Sequence, residues 1–348
     1  MSSNKRLIAI AVLALALHVA ACKETTSPTA DPTALATGVT GLNSTFSQNA
    51  VFQSLAALSS SFTLSAPVAR PLTALVGPSG SASASDRSLV LRLAGRSPGP
   101  MLALFPVNVQ GKVFQWDTAG GGKYRITDST LAGPANGVRY ILYQVSTSTG
   151  RPSLPPTTTG YVDLVDQSTQ QANVVYLLLK VGSQTAADYT ITQVKTTTVD
   201  TLKAVGYVTD VVAGGTPVNF ALSHALTFSD SSLVTNYSAS GSAAGVTMHT
   251  SYSGAGGGNV TLDWVVQKSG SLEVVGSSTS SVINFQFKFN GTPWATVGGT
   301  PSAPTFTGAG GRTLTAADLV AVAQVLQGFY NIASSLSGVF GPAFLVFK

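Results

Sequence analysis

The chain has 348 residues, 44% of them apolar and 9% charged, with 19 Lys and Arg against 14 Asp and Glu. So few charges exclude a disordered polyelectrolyte, and with no Lys/Arg run after Lys5-Arg6 there is no clustered-cation groove for nucleic acid. The single cysteine excludes an internal disulfide framework and a cysteine-built zinc site.

Lys5 and Arg6 precede an apolar stretch, 7–21, broken only by His18. It is shorter than the ~20 residues a spanning helix needs and has the form of an export signal. It ends Val19-Ala20-Ala21-Cys22, with the only cysteine last. This resembles the bacterial lipobox: a branched apolar residue, two small residues, then cysteine. The resemblance implies a signal peptide over 1–21, cleavage after Ala21, and a lipid thioether on Cys22. A thiol is the nucleophile that can carry a diacylglyceryl group, and two or more acyl chains hold a bilayer stably where one does not. The protein would then sit in a bacterial cell envelope, its membrane partner engaged through Cys22. Lys23, where lipoproteins retained at the inner membrane carry Asp, leans towards the outer membrane. Ordinary secretion with cleavage after Ala21, and an uncleaved anchor, are the competing readings. With Lys5 and Arg6 removed, 17 cations face 14 anions, a net charge of +3.

The segment 22–34 is rich in Thr and Pro without apolar periodicity, and reads as a disordered tether. Over 35–62, Leu42, Phe46, Val51, Leu55, Leu58 and Phe62 recur at helical spacing. Residues 79–88 read as loop and 89–93 as a short strand, before Pro98-Gly99-Pro100 punctuates the chain.

From 112 to 297 the pattern is that of strands. Val218, Phe220, Leu222, His224, Leu226 and Phe228 alternate with Asn219, Ala221, Ser223, Ala225, Thr227 and Ser229. Ile283, Phe285, Phe287 and Phe289, and Val260, Leu262, Trp264 and Val266, alternate likewise, giving one buried and one wet face. The runs 138–145 and 174–181 are apolar on both faces and are expected at the centre of the sheet. Short turn signals such as Asn290-Gly291 favour antiparallel neighbours. Thr315-Ala316-Ala317-Asp318 is a capping box opening a helix over 315–337, with Leu319, Val322, Leu326, Phe329, Tyr330, Ala333 and Leu336 on one stripe. The apolar tail 343–347 reads as a last strand. The expected fold is mainly β: a single domain, 35–348, holding a large antiparallel meander sheet or half-open barrel across 100–300, with flanking N-terminal and C-terminal helices.

Candidate chemistry is sparse. Glu24 and Glu273 are the only glutamates, which leaves little for a paired-carboxylate glycosidase. No metal motif, phosphate loop or G-x-S-x-G elbow occurs, and no cofactor is implied. His224 lies among apolar neighbours and reads as a buried, hydrogen-bonded side chain; His249, in a Ser/Thr-rich strand, reads as surface. A greasy sheet face with apolar helices resembles the half-barrel architecture of lipoprotein carriers and related envelope lipoproteins, where helices lid a cavity for acyl chains. That resemblance implies a non-enzymatic protein binding a lipid or other apolar ligand between sheet and helices, with His224, Phe285, Phe287, Phe289 and Phe329 facing the ligand. The alternatives are a structural or cell-surface interaction protein, whose Ser/Thr-rich faces meet a partner or glycans, and a hydrolase using His224 or His249 as base. Oligomeric state is left open.

Overall fold

The computed structural model describes residues 103–119, 122–126, 132–146, 149, 151–230, 232–242, 244–253, 259–268, 270–279, 281–300 and 302–347, with 37, 39–41, 43, 44 and 49. The signal and tether, and the strand expected at 89–93, lie outside the described residues. So does the helix expected over 35–62, apart from those isolated positions.

The period-two runs form β1 (Lys112–Asp117), β2 (Lys123–Ile126), β3 (Gly137–Tyr143), β4 (Thr158–Asp166), β5 (Asn173–Val181), β6 (Gln184–Lys195), β7 (Val199–Val208) and β8 (Val218–Thr227). They continue as β9 (Leu233–Ser240), β10 (Gly245–Ser253), β11 (Asn259–Gln267), β12 (Ser271–Ser278), β13 (Ile283–Phe289), β14 (Thr292–Thr300) and β15 (Ala303–Gly308). All fifteen join one sheet. From β3 to β15 each strand pairs antiparallel with the next in sequence, as short turns demand. Asn290 and Gly291 both take positive φ, 48° and 78°, in the two-residue turn between β13 and β14.

The meander departs from expectation at one end. β1 lies parallel to β3, and β2 pairs outside β1, so the sheet is mixed there. β3 is third from that edge rather than central. It is nevertheless apolar on both sides. Its second face, Ile141 and Tyr143, packs with Val113 under Trp116, Tyr124 and Tyr161. Among the described residues neither β2 nor β15 pairs further, so the sheet is open.

Register carries one side chain per strand into continuous rows. One buried row runs Ile191, Ala204, Leu222, Tyr237, Met248, Trp264, Val274 and Phe287 across β6 to β13. Each large apolar side chain so buried is worth roughly 1.5–3 kcal/mol. Against this face packs α1 (Ala316–Ser337), followed by a tight turn, Gly338–Phe340, and α2 (Gly341–Val346). The tail expected to end in a strand is instead helical: Pro342 sits in the first turn of α2, and Ala343, Val346 and Phe347 are buried in the core.

α1 opens with the expected capping box, Thr315 Oγ1 accepting from the Asp318 amide at 3.2 Å and Asp318 Oδ2 from the Thr315 amide at 2.8 Å. Against the opposing pull of burial, that amide and Arg312, 3.0 Å away, hold the Asp318 carboxyl below its usual range. Phe329, Ile332, Leu336, Val339, Phe340 and Phe347 are all buried on the sheet. α1 also meets Val39, which belongs to the same core: a Cβ placed on Gly328 would lie 2.1 Å from Val39 Cγ1, so the approach requires glycine. By length and composition the span Ala316–Ala343 is apolar enough to cross a membrane, with 53% of its most apolar window buried inside the protein.

Candidate functional site

The inner face of the sheet holds the sequence-derived candidates. His224 points inward from the middle of β8, between Leu202 and Thr235 in register, and is 0% exposed. Its Nε2 lies 3.0 Å from Tyr237 Oη, which lies 3.0 Å from Ser337 Oγ at the end of α1. Ser337 in turn donates to the Ala333 carbonyl at 2.9 Å. Because Ser337 donates onward, the hydrogens fall into one chain: Nε2–H to Tyr237, Tyr237 to Ser337, Ser337 to the carbonyl. Burial pushes His224 down to about 3, so the imidazole is neutral at pH 7. Its Nδ1 has no hydrogen-bond partner among the described residues.

This group cannot serve as a hydrolase base as it stands. His224 is sealed from solvent, with the Phe340 ring 4.8 Å from its own, and the Ser337 hydroxyl hydrogen is committed. It acts as a clamp between sheet and helix. A second tie, Tyr189 Oη to the Val339 carbonyl at 3.1 Å, fastens the turn after α1. Trp264 Nε1 donates to Thr250 Oγ1 at 2.9 Å, and Gln193 Nε2 to the buried Asp200 carboxylate at 3.1 Å. Burial raises the Asp200 carboxyl against the lowering pull of Gln193 and Lys195.

The phenylalanines named from the sequence are core residues packed on the protein's own rings. Phe289 and Phe287 meet Trp294 with centroids 5.1 and 6.4 Å apart, and Phe329 meets Trp264 at 5.4 Å. Phe285 lies beside them, paired with Gly276 and Val297. Ala21 and Cys22 lie outside the described residues.

The outer face is different in kind. One row across β7 to β15 reads Lys203, Ser223, Asn236, His249, Asp263, Val275, Gln286, Thr296 and Thr307. His249 Nδ1 lies 2.6 Å from Asn236 Oδ1, and Asn236 Nδ2 donates to Ser223 Oγ at 3.3 Å. Ser223, His249 and Asp263 thus share a row, but the serine is two strands from the histidine with Asn236 between them. Charges elsewhere on this face pair locally: Lys288 with Glu273 at 2.8 Å, and Arg139 with both oxygens of Asp163 at 2.7 and 2.8 Å. Composition and periodicity missed the Arg139–Asp163 pair, because register alone sets them opposite each other.

An open pocket of about 450 Å³ lies at the end of β3–β5, lined by Ala103, Gln110, Asn136, Asp166, Ser168, Thr169 and Gln170. The Asp166 carboxylate there is engaged by the Leu104 and Ser168 amides at 2.8 and 2.9 Å, which makes it a loop fastener. Among the described residues no three His, Cys, Asp or Glu converge as a metal site.

No known protein family, no curated protein and no solved structure matches this chain.

Proposed function

We propose that this chain is a non-enzymatic envelope lipoprotein, anchored through Cys22, whose β domain serves as an interaction module through the outer face of its sheet. The observation that carries this reading is the division of labour between the two faces. The inner face is spent on α1 and α2, with His224, Phe287 and Phe329 each 0% exposed. The outer face is left as a broad hydrogen-bonding lattice of hydroxyls, amides and charged side chains. The tether 22–34 would hold that surface away from the bilayer, towards the outer-membrane side of the envelope that Lys23 favours. In the producing cells, Cys22→Ser is expected to abolish the acyl mass and move the protein from the membrane to the soluble fraction. Unchanged mass and fractionation would remove the anchor. For the module, photo-crosslinkers at positions 236 and 249 are expected to capture a partner in intact cells where one at position 320 on α1 does not. Equal capture from all three would remove the outer-face assignment.

A second reading has its own support. The inner face is lined by Phe285, Phe287 and Phe289, and α1, uncharged after Asp318, covers it with few polar ties. An acyl chain or other apolar ligand would occupy that face where the helix yields. Native mass spectrometry of the protein purified from its own envelope distinguishes the two: a co-purified lipid supports the ligand reading, and bare protein leaves the interaction module.

A further inference from the structure

Phe, Tyr and Trp side chains that point outward from β4–β15 are confined to one end of the sheet. They are Tyr161 on β4, Tyr176 on β5 and Tyr207 on β7, all partly exposed. β8 to β15 carry Ser, Thr, Asn and Gln on the same face, with their aromatic rings turned inward. The tyrosines frame one register row, Arg139, Asp163, Leu178, Asp188 and Tyr207, that crosses β3 to β7 without a break. Val205, 56% exposed, stands two residues from Tyr207 in a row with Thr190 and Tyr176.

The polar groups of this patch are already arranged. Arg139 forks onto Asp163 and lies over the Tyr161 ring, 3.9 Å from its centroid. Lys180 donates to Thr185 at 2.7 Å. Asp188 has no cation partner among the described residues, and its carboxylate accepts a hydrogen bond from the Tyr176 hydroxyl. The patch therefore offers no unpaired cation cluster to a polyanion. What it offers is ring faces, an exposed valine and one carboxylate, held on one side by the Tyr176 hydroxyl, on a continuously hydrogen-bonded sheet.

We infer that the outer face of β4–β7 is a binding platform for a neutral polysaccharide, with Tyr176 and Tyr207 stacking on sugar rings and Asp188 accepting from their hydroxyls. A pyranose presents weakly positive C–H groups on its ring faces and hydroxyls at its rim. The faces suit the negative π-surface of tyrosine, and the rim suits a carboxylate. Strand spacing and rise put the Tyr176 and Tyr207 backbones about 12 Å apart. An oligosaccharide bridges that distance and a monosaccharide does not. Arg139, clamped by Asp163 and Tyr161, is fixed before binding, so little ordering opposes association. This inference rests on the outer-face reading and names its ligand class.

The test titrates the full-length protein in detergent with four neutral probes, the hexaoses of maltose-, cellulose-, xylan- and chitin-type linkage, followed by calorimetry and protein fluorescence. At least one hexaose is expected to bind, and its monosaccharide not to. Tyr176→Ala and Tyr207→Ala are expected to weaken binding at least about tenfold each, while Tyr176→Phe and Tyr207→Phe, which keep the ring, stay within about threefold. Both positions are partly exposed, and an unchanged thermal midpoint certifies the fold of each variant. If no hexaose binds the parent protein, the ligand class is overturned, and the outer-face reading is then judged by its crosslinks alone. If binding survives both alanine variants but fails in Asn236→Ala and His249→Ala, the location is overturned while the outer face stands.

Discussion

His224 makes the stability of this domain depend on pH in a way that one substitution isolates. In the unfolded chain its imidazole takes up a proton near pH 6.5, whereas burial defers that event in the folded protein to about pH 3. Between those values the unfolded state binds more protons, so folding weakens as acid is added and recovers as pH rises. The full window is worth on the order of 5 kcal/mol, at 1.36 kcal/mol per pH unit. Between pH 7 and pH 5 alone, the unfolded titration gives a loss of about 2 kcal/mol. That interval stays clear of most carboxylate titration. Asp318, held low, would lose its contribution only under stronger acid, while Asp200, held high, acts with the opposite sign. The assay is urea unfolding of the parent and of His224→Gln at both pH values. The parent is expected to lose about 2 kcal/mol more than the variant over the interval. Equal losses in both proteins would refute the argument, because the proton uptake would then belong to another group.

Two further perturbations probe how α1 is held. Phe329→Ala, which empties a fully buried site against Trp264, should destabilise the domain by about 3–5 kcal/mol in chemical unfolding; a loss below about 1 kcal/mol would mean the helix does not fill the sheet as described. Gly328→Val should force Val39 away from α1, read as new protease cleavage near position 39 with α1 itself still protected; an unchanged digestion pattern would show that this contact does not hold the N-terminal segment.

The strands were legible because their residues alternate. At 218–228 and 283–289 a pleat sends every second side chain to the same side, and nothing else about the chain need be known to see it. The capping box at Thr315 was legible for a similar reason, since its two hydrogen bonds are local. The tail at 343–347 misled, because a short apolar run suits a buried strand and a buried helix equally. β3 misled in position: two apolar faces signal cover on both sides, and the aromatic cluster with β1 and β2 supplied that cover near an edge. The phenylalanines of β13 were recognisable as buried, while what they are buried against could not be read along the strand.

Local order along the chain, then, was determined by residue patterns alone: strand alternation, turn residues and the helix cap. Which residues from distant segments meet was decided only in three dimensions. Tyr237 and Ser337 share a hydrogen bond across 100 positions of sequence, and Arg139 finds Asp163 because the register of two strands sets them side by side. The physical reason is that backbone periodicity is a property of neighbours in the chain, whereas a buried polar contact depends on the packing of separate elements, which no local pattern encodes.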